Sequence, residues 1–137
     1  MTSTSPTLAT APATGLWRNA GLAAGVAAIA NLVIWGIGKA AGVAFLVTQG
    51  STEREVTFAL PIVASVIGVL LGAVALWVLG RLNRGLTIWT GLVAGFGALS
   101  LISPLTAGKD TSTGITLALM HAVVVGALLT FLRRPAA

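Results

Sequence analysis

Residues 58–79 read FALPIVASVIGVLLGAVALWVL, a stretch without a single charged side chain. A helix rises about 1.5 Å per residue, so this stretch is long enough to cross a hydrocarbon core about 30 Å thick. Three similar stretches lie at 20–37, 88–105 and 115–132. Because backbone groups in lipid must be hydrogen-bonded within the protein, we expect all four stretches to be helices.

The composition of the whole chain agrees with a membrane protein. Of its 137 residues, 56% are hydrophobic and 8% are charged, whereas soluble domains carry about 25% charged residues. We therefore predict an all-α fold, a four-transmembrane-helix bundle with up-down-up-down topology in residues 16–137. The predicted helices span about 17–38, 58–80, 86–105 and 113–132.

The N-terminal residues differ from the rest. Residues 1–15 are rich in Thr, Ser, Ala and Pro, which predicts a disordered tail. The first apolar stretch contains Ala28-Ile-Ala30, which resembles a signal-peptidase site. The stretch continues past this site to Ile37, so an uncleaved first helix is the better interpretation.

Charge predicts the orientation. The basic residues of the N-terminal segment, the second loop and the C-terminus are Arg18, Arg81, Arg84, Arg133 and Arg134, without an acidic neighbour. The opposite side holds Lys39, Arg54 and Lys109 beside Glu53, Glu55 and Asp110. The positive-inside rule then places both termini in the cytoplasm of a plasma-membrane protein. Trp17, Trp77 and Trp89 at the inner ends and Trp35 at an outer end indicate an aromatic belt.

The net charge of +5 does not indicate nucleic-acid binding. The basic residues are scattered at the ends of the apolar stretches, where they suit anionic lipid headgroups. The expected surroundings are the lipid bilayer, with a homo-oligomer or a larger membrane protein as further partners.

The loops carry local signals. Residues 43–48 and 53–57 are β-prone and flank Gln49-Gly50-Ser51, which predicts a short extracytoplasmic β-hairpin. The alternative is that residues 40–47 extend the first helix or lie in the membrane interface. Residues 110–113 supply N-cap candidates for the fourth helix.

Small residues recur every four positions and predict close helix packing. The candidate packing seams are Gly68 and Gly72 in the second helix and Gly91 and Gly95 in the third. These seams would serve either packing within one bundle, which the presence of four helices favours, or dimerisation.

Four polar residues fall at a similar depth, one in each helix: Asn31, Ser65, Ser100 and His121. Polar groups in lipid face the protein interior and seek partners. We expect Asn31 and His121 to be hydrogen-bonded across the first and fourth helices. The alternative is a layer that titrates protons or binds a ligand around His121.

No catalytic constellation is visible, so we expect no enzyme, no cofactor and no metal site. The chain has no cysteine, which excludes disulfides and thiolate chemistry. The helices contain no acidic residue, which argues against a proton-coupled exporter.

The segments ANLVIW at 30–35, KAAGV at 39–43, SLISPL at 100–105 and LALMHA at 117–122 carry a resemblance. Over residues 16–134 the chain resembles an uncharacterised family of small actinobacterial membrane proteins. The resemblance implies a bacterial four-helix membrane protein and adds no activity. The expected function is that of a non-enzymatic structural, accessory or partner-binding membrane subunit. The alternative is an oligomeric small-solute transporter or channel subunit that uses the polar layer around His121 and Asn31.

The orientation can be tested by cysteine labelling, because the chain has no native cysteine. Thr52→Cys in the first loop should react with an impermeant maleimide in intact cells, whereas Asn83→Cys in the second loop should react only after permeabilisation. The reverse pattern would invert the topology.

Overall fold

The computed structural model describes residues 13–134, within which four helices and one β-hairpin form. In chain order these are α1 Ala13–Ala40, β1 Leu46–Gln49, β2 Thr52–Glu55, α2 Ala59–Leu79, α3 Gly85–Ala107 and α4 Thr111–Ala127, which continues into a π-helical turn, Leu128–Leu132. All four helices are long and apolar enough to cross a membrane. The prediction of four helices, each long and apolar enough to span a membrane, is therefore confirmed.

The helix boundaries differ from the predicted ones mainly in α1. This helix begins at Ala13, so it includes the last three residues of the predicted tail, and residues 1–12 lie outside the described range. Pro61 lies in the first turn of α2, where its missing N–H removes no helical hydrogen bond. Pro104 lies inside α3, which continues for three residues beyond it.

The core is built around small side chains. Ala20, Ala23 and Ala27 form a buried stripe on α1, and Val69 and Ala73 of α2 belong to the same core cluster. Small residues let helix backbones approach closely, so dispersion contacts replace the hydrophobic drive that is absent between helices in lipid. The helix α4 packs against both α1 and α3, which closes the bundle.

The predicted seam on α2 is an intramolecular contact with α4. A Cβ atom at Gly68 would lie 3.3 Å from Cγ1 of Val124. A Cβ atom at Gly72 would collide with the side chain of Leu128. These two glycines therefore allow the close approach of α2 and α4.

The predicted seam on α3 is wrong as an intramolecular contact. A Cβ atom at Gly91 or Gly95 would meet no other atom within 4 Å. The close contact of α3 is made instead by Gly97, where an added Cβ would lie 2.8 Å from Cγ2 of Val125. A four-residue spacing identifies small residues but does not say which face of the helix meets a neighbour.

The predicted hairpin is confirmed and caps one end of the bundle. Strands β1 and β2 pair antiparallel around a two-residue turn at Gly50 and Ser51. The backbone N–H of Lys109 donates to the carbonyl of Leu46 at 2.9 Å. Ion pairs connect Glu55 to Lys39 of α1 and Glu53 to Lys109 of the last loop. The hairpin is thus fastened to two separate parts of the bundle.

Asp110 is the N-cap of α4, which was one of the predicted candidates. Its side chain accepts the backbone N–H of Thr113 at 2.8 Å and the Thr113 hydroxyl at 2.8 Å. Hydrogen bonds from the Ser112 hydroxyl and from Thr113 lower the pKa of this carboxyl below its ordinary value. The ionised form is therefore the one that stabilises the start of α4, and this contribution is lost as the pH falls through the lowered pKa.

The α2–α4 contact predicts a difference between two glycines. Gly72→Leu should lower the thermal stability in mild detergent, by about 1–3 kcal/mol, because a leucine side chain cannot fit against Leu128. Gly91→Leu is the matched control and should leave the melting temperature nearly unchanged, since its surroundings are open. Equal melting temperatures for the two variants would contradict this packing.

Candidate functional site

A large concave feature of the described residues is a cleft between α2 and α3. Near the short connecting loop the two helices are held together, because the indole N–H of Trp89 donates to the carbonyl of Gly72 at 2.8 Å. Beyond this contact a cleft of about 790 Å³ lies between them, with α4 as its floor. Val47 and Val56 of the hairpin region line it at the other end.

The cleft wall is mostly apolar. Leu71 of α2 and Phe96 of α3 line it and are 66% and 71% exposed. Apolar side chains exposed on helices that are long and apolar enough to cross a membrane are suited to contact with lipid rather than water. None of the described residues that line the cleft carries a charged side chain.

The polar centre of the cleft is Asn31, which is only 2% exposed. Its Nδ2 donates to Oγ of Ser65 at 2.8 Å and to the backbone carbonyl of Met120 at 3.2 Å. The Ser65 hydroxyl in turn donates to the carbonyl of Pro61 at 2.6 Å. One amide group therefore connects α1, α2 and α4.

The orientation of this amide follows from its partners. A carbonyl oxygen can only accept, so the atom next to the Met120 carbonyl must be the nitrogen of Asn31. Both N–H groups are then used, and Oδ1 of Asn31 is buried without a partner. Asn31 thus lines the cleft but keeps an unused acceptor, Oδ1, that is enclosed.

His121 lies on the cleft-facing side of α4 and is exposed. Its Nδ1 lies 2.8 Å from the carbonyl of Leu117, one turn earlier in the same helix. Because that carbonyl must accept, Nδ1 carries the hydrogen and Nε2 of the neutral ring is an acceptor. The Nδ1–H group of the histidine is thus satisfied within its own helix, and Nε2 is not.

The predicted hydrogen bond between Asn31 and His121 is therefore wrong. Asn31 reaches α4 through the backbone of Met120, the residue before His121. The prediction that Asn31 and His121 lie at a similar depth agrees with this contact. Depth, however, does not determine the direction in which a side chain leaves its helix. Successive helical residues are about 100° apart, so the backbone of one position can face Asn31 while the next side chain turns away.

Ser100 completes the predicted layer. Its hydroxyl donates to the carbonyl of Gly97 at 2.8 Å, again within its own helix. All four members of the layer, Asn31, Ser65, Ser100 and His121, line the same cleft. Only Asn31 and Ser65 are hydrogen-bonded to each other.

Two residues of the cleft were not predicted from the sequence. Met120 contributes through its backbone carbonyl, which accepts from Asn31 and which the residue type does not reveal. Trp89 was expected in the aromatic belt, but it is fully buried and its ring lines the cleft. Trp77 fits the interfacial role, since it is half-exposed and the Arg81 guanidinium lies 4.3 Å from its ring centre. Across residues 13–134, no three His, Asp or Glu side chains are grouped so that they could hold a metal ion.

The hydrogen bonds predict which residues are energetically coupled. A double-mutant cycle with Asn31→Leu and Ser65→Ala should give a coupling of about 0.6 kcal/mol in unfolding free energy, the average for interhelical hydrogen bonds in membranes, and at most about 1.7 kcal/mol. The same cycle with His121→Phe in place of Ser65→Ala is the control and should give a coupling near zero. Stronger coupling to His121 than to Ser65 would contradict the observed bonding.

Comparison with known proteins adds one finding. Neither the curated proteins nor the solved structures contain a match to this chain. The model of a family of unknown function, DUF6069, matches residues 11–137. This match covers all four helices and the cleft between them, and the chain belongs to the DUF6069 family.

Proposed function

We propose that this protein is a non-enzymatic binding protein of the plasma membrane, which takes up an apolar molecule from the bilayer in the cleft between α2 and α3. The observation that carries this proposal is the cleft itself, about 790 Å³ in volume, apolar and open between two membrane-spanning helices. Small-molecule sites typically measure about 300–1,000 Å³ and are mostly apolar with a few polar groups.

The size of the cleft favours a small occupant over a partner helix, because its volume of about 790 Å³ falls within the range typical of small-molecule sites.

The same lining argues against the alternative of a channel or transporter subunit. A path for ions or polar solutes needs polar or charged groups along its length. None of the described lining residues is charged, and Ser65, Ser100 and His121 each bond to a carbonyl of their own helix. Two further polar side chains in the lining, Ser103 and Gln49, lie toward the hairpin. At the opposite end the only polar side-chain atom is the indole N–H of Trp89, which is bonded to Gly72, so the described lining gives no polar path along the whole cleft.

The proposed orientation follows from the charge distribution, with both termini in the cytoplasm and the hairpin outside. Arg81 stacks on Trp77 beside the α2–α3 loop, and Arg134 lies 5.6 Å from the ring centre of Phe131. Arginine and aromatic side chains placed together at helix ends are typical of an interface with anionic headgroups.

Blocking the cleft should remove bound lipid. Ala64 lines the cleft, so Ala64→Phe should fill it. Native mass spectrometry of protein purified from its host membrane in mild detergent should show a retained small molecule on the wild type and not on this variant. The matched control is Ala94→Phe on the exposed surface of α3, which should retain the molecule.

Two results would overturn the proposal. One is equal retention by the wild type, Ala64→Phe and Ala94→Phe, which would place bound lipid elsewhere. The other is a wild type that retains no small molecule.

A further inference from the structure

We propose that the occupant of the cleft is a neutral amphiphile with a long hydrocarbon body and a hydroxyl group, and that this hydroxyl donates to Nε2 of His121. The inference rests on the proposed binding function and specifies its ligand class. It follows from the hydrogen-bonding capacity that the polar layer leaves unused.

The donors of the polar layer are all engaged. Asn31 uses both N–H groups on Ser65 and Met120. The hydroxyls of Ser65 and Ser100 each donate to a carbonyl of their own helix. The layer therefore presents acceptors to the cleft, and a ligand that complements it must bring a donor.

His121 is the most exposed residue of the layer, whereas Ser100, whose hydroxyl oxygen can also accept, is half-buried. The His121 side chain is exposed and lines the cleft, whereas Oδ1 of Asn31 is enclosed. With Nδ1–H donated to the Leu117 carbonyl, the lone pair of Nε2 is the remaining hydrogen-bonding group of the neutral ring. A polar group left unpaired in hydrocarbon is costly, so a donor from the cleft stabilises it.

The donor must be neutral. An ammonium group in the membrane requires a carboxylate or a comparable partner to compensate for its lost hydration. No acidic residue lines the cleft, and Glu53, Glu55 and Asp110 all lie outside the helices. The ligand must therefore bring a hydrogen-bond donor that is neutral. A hydroxyl group on a hydrocarbon chain meets both requirements, since it donates one hydrogen bond and carries no charge.

The test compares two competitors with the same hexadecyl chain, in which the oxygen carries either a hydrogen or a methyl group. The protein is reconstituted in phosphatidylcholine nanodiscs and cross-linked with 1-hexadecanol that carries a chain diazirine. Unlabelled 1-hexadecanol should compete about tenfold better than 1-methoxyhexadecane, whose ether oxygen can accept but not donate. Equal competition by the two molecules would overturn the inference.

Variants of His121 identify the acceptor. His121→Phe keeps an aromatic ring but removes the acceptor, so it should abolish the preference for the alcohol. His121→Gln provides a new acceptor and should restore part of the preference. A preference unchanged in His121→Phe would show that another group receives the hydroxyl and would overturn the assignment. His121 bonds only to its own helix, so neither substitution should unfold the protein.

The cleft-blocking variant separates this inference from the function on which it rests. Ala64→Phe should lose cross-linking of the probe, while Ala94→Phe should retain it. If blocking the cleft has no effect on cross-linking, the binding function itself fails. If blocking removes cross-linking but alcohol and ether compete equally, only the ligand class is wrong.

Discussion

The amide of Asn31 is the interaction on which the arrangement of α1, α2 and α4 depends. Its two N–H groups reach Ser65 on α2 and the Met120 carbonyl on α4. In hydrocarbon an unpaired amide is costly, whereas apolar side chains pack almost equally well against lipid or protein. Asn31 therefore sets the depth and rotation at which these three helices meet, and the glycines of α2 allow the close approach that the bonds require.

The cleft follows from the fact that α3 is outside this network. The helix α3 is fastened to α4 by the fit of Gly97 against Val125 and to α2 by the Trp89 bond near their connecting loop. Within the polar layer, Ser100 of α3 bonds to its own helix rather than to α2. Nothing in that layer draws α3 toward α2, so the space between them remains open to an occupant.

The sequence predicted the helices well because lipid leaves the backbone few alternatives. The absence of charge over residues 58–79 was sufficient to identify α2. The hairpin was also predicted, from β-prone residues around Gly50. Rotation about each helix axis was less predictable: Gly91 and Gly95 share the four-residue spacing of Gly68 and Gly72 but meet open space. In a helix that is apolar on every side, periodicity does not mark the face that packs.

The difference between hydrogen bonds within one helix and hydrogen bonds between helices explains why Asn31, rather than His121, determines how the helices assemble. Serine, threonine and a histidine Nδ1 can donate to a carbonyl one turn earlier, so each can exist in an isolated membrane helix at low cost. Ser65, Ser100 and His121 all make such a bond. Asn31 makes none, and its N–H groups find partners only when α1 meets α2 and α4. Residues whose donors are satisfied within their own helix can line a cleft without a partner on another helix, and His121, whose Nε2 acceptor is unused, is therefore the residue that we propose to recognise the ligand.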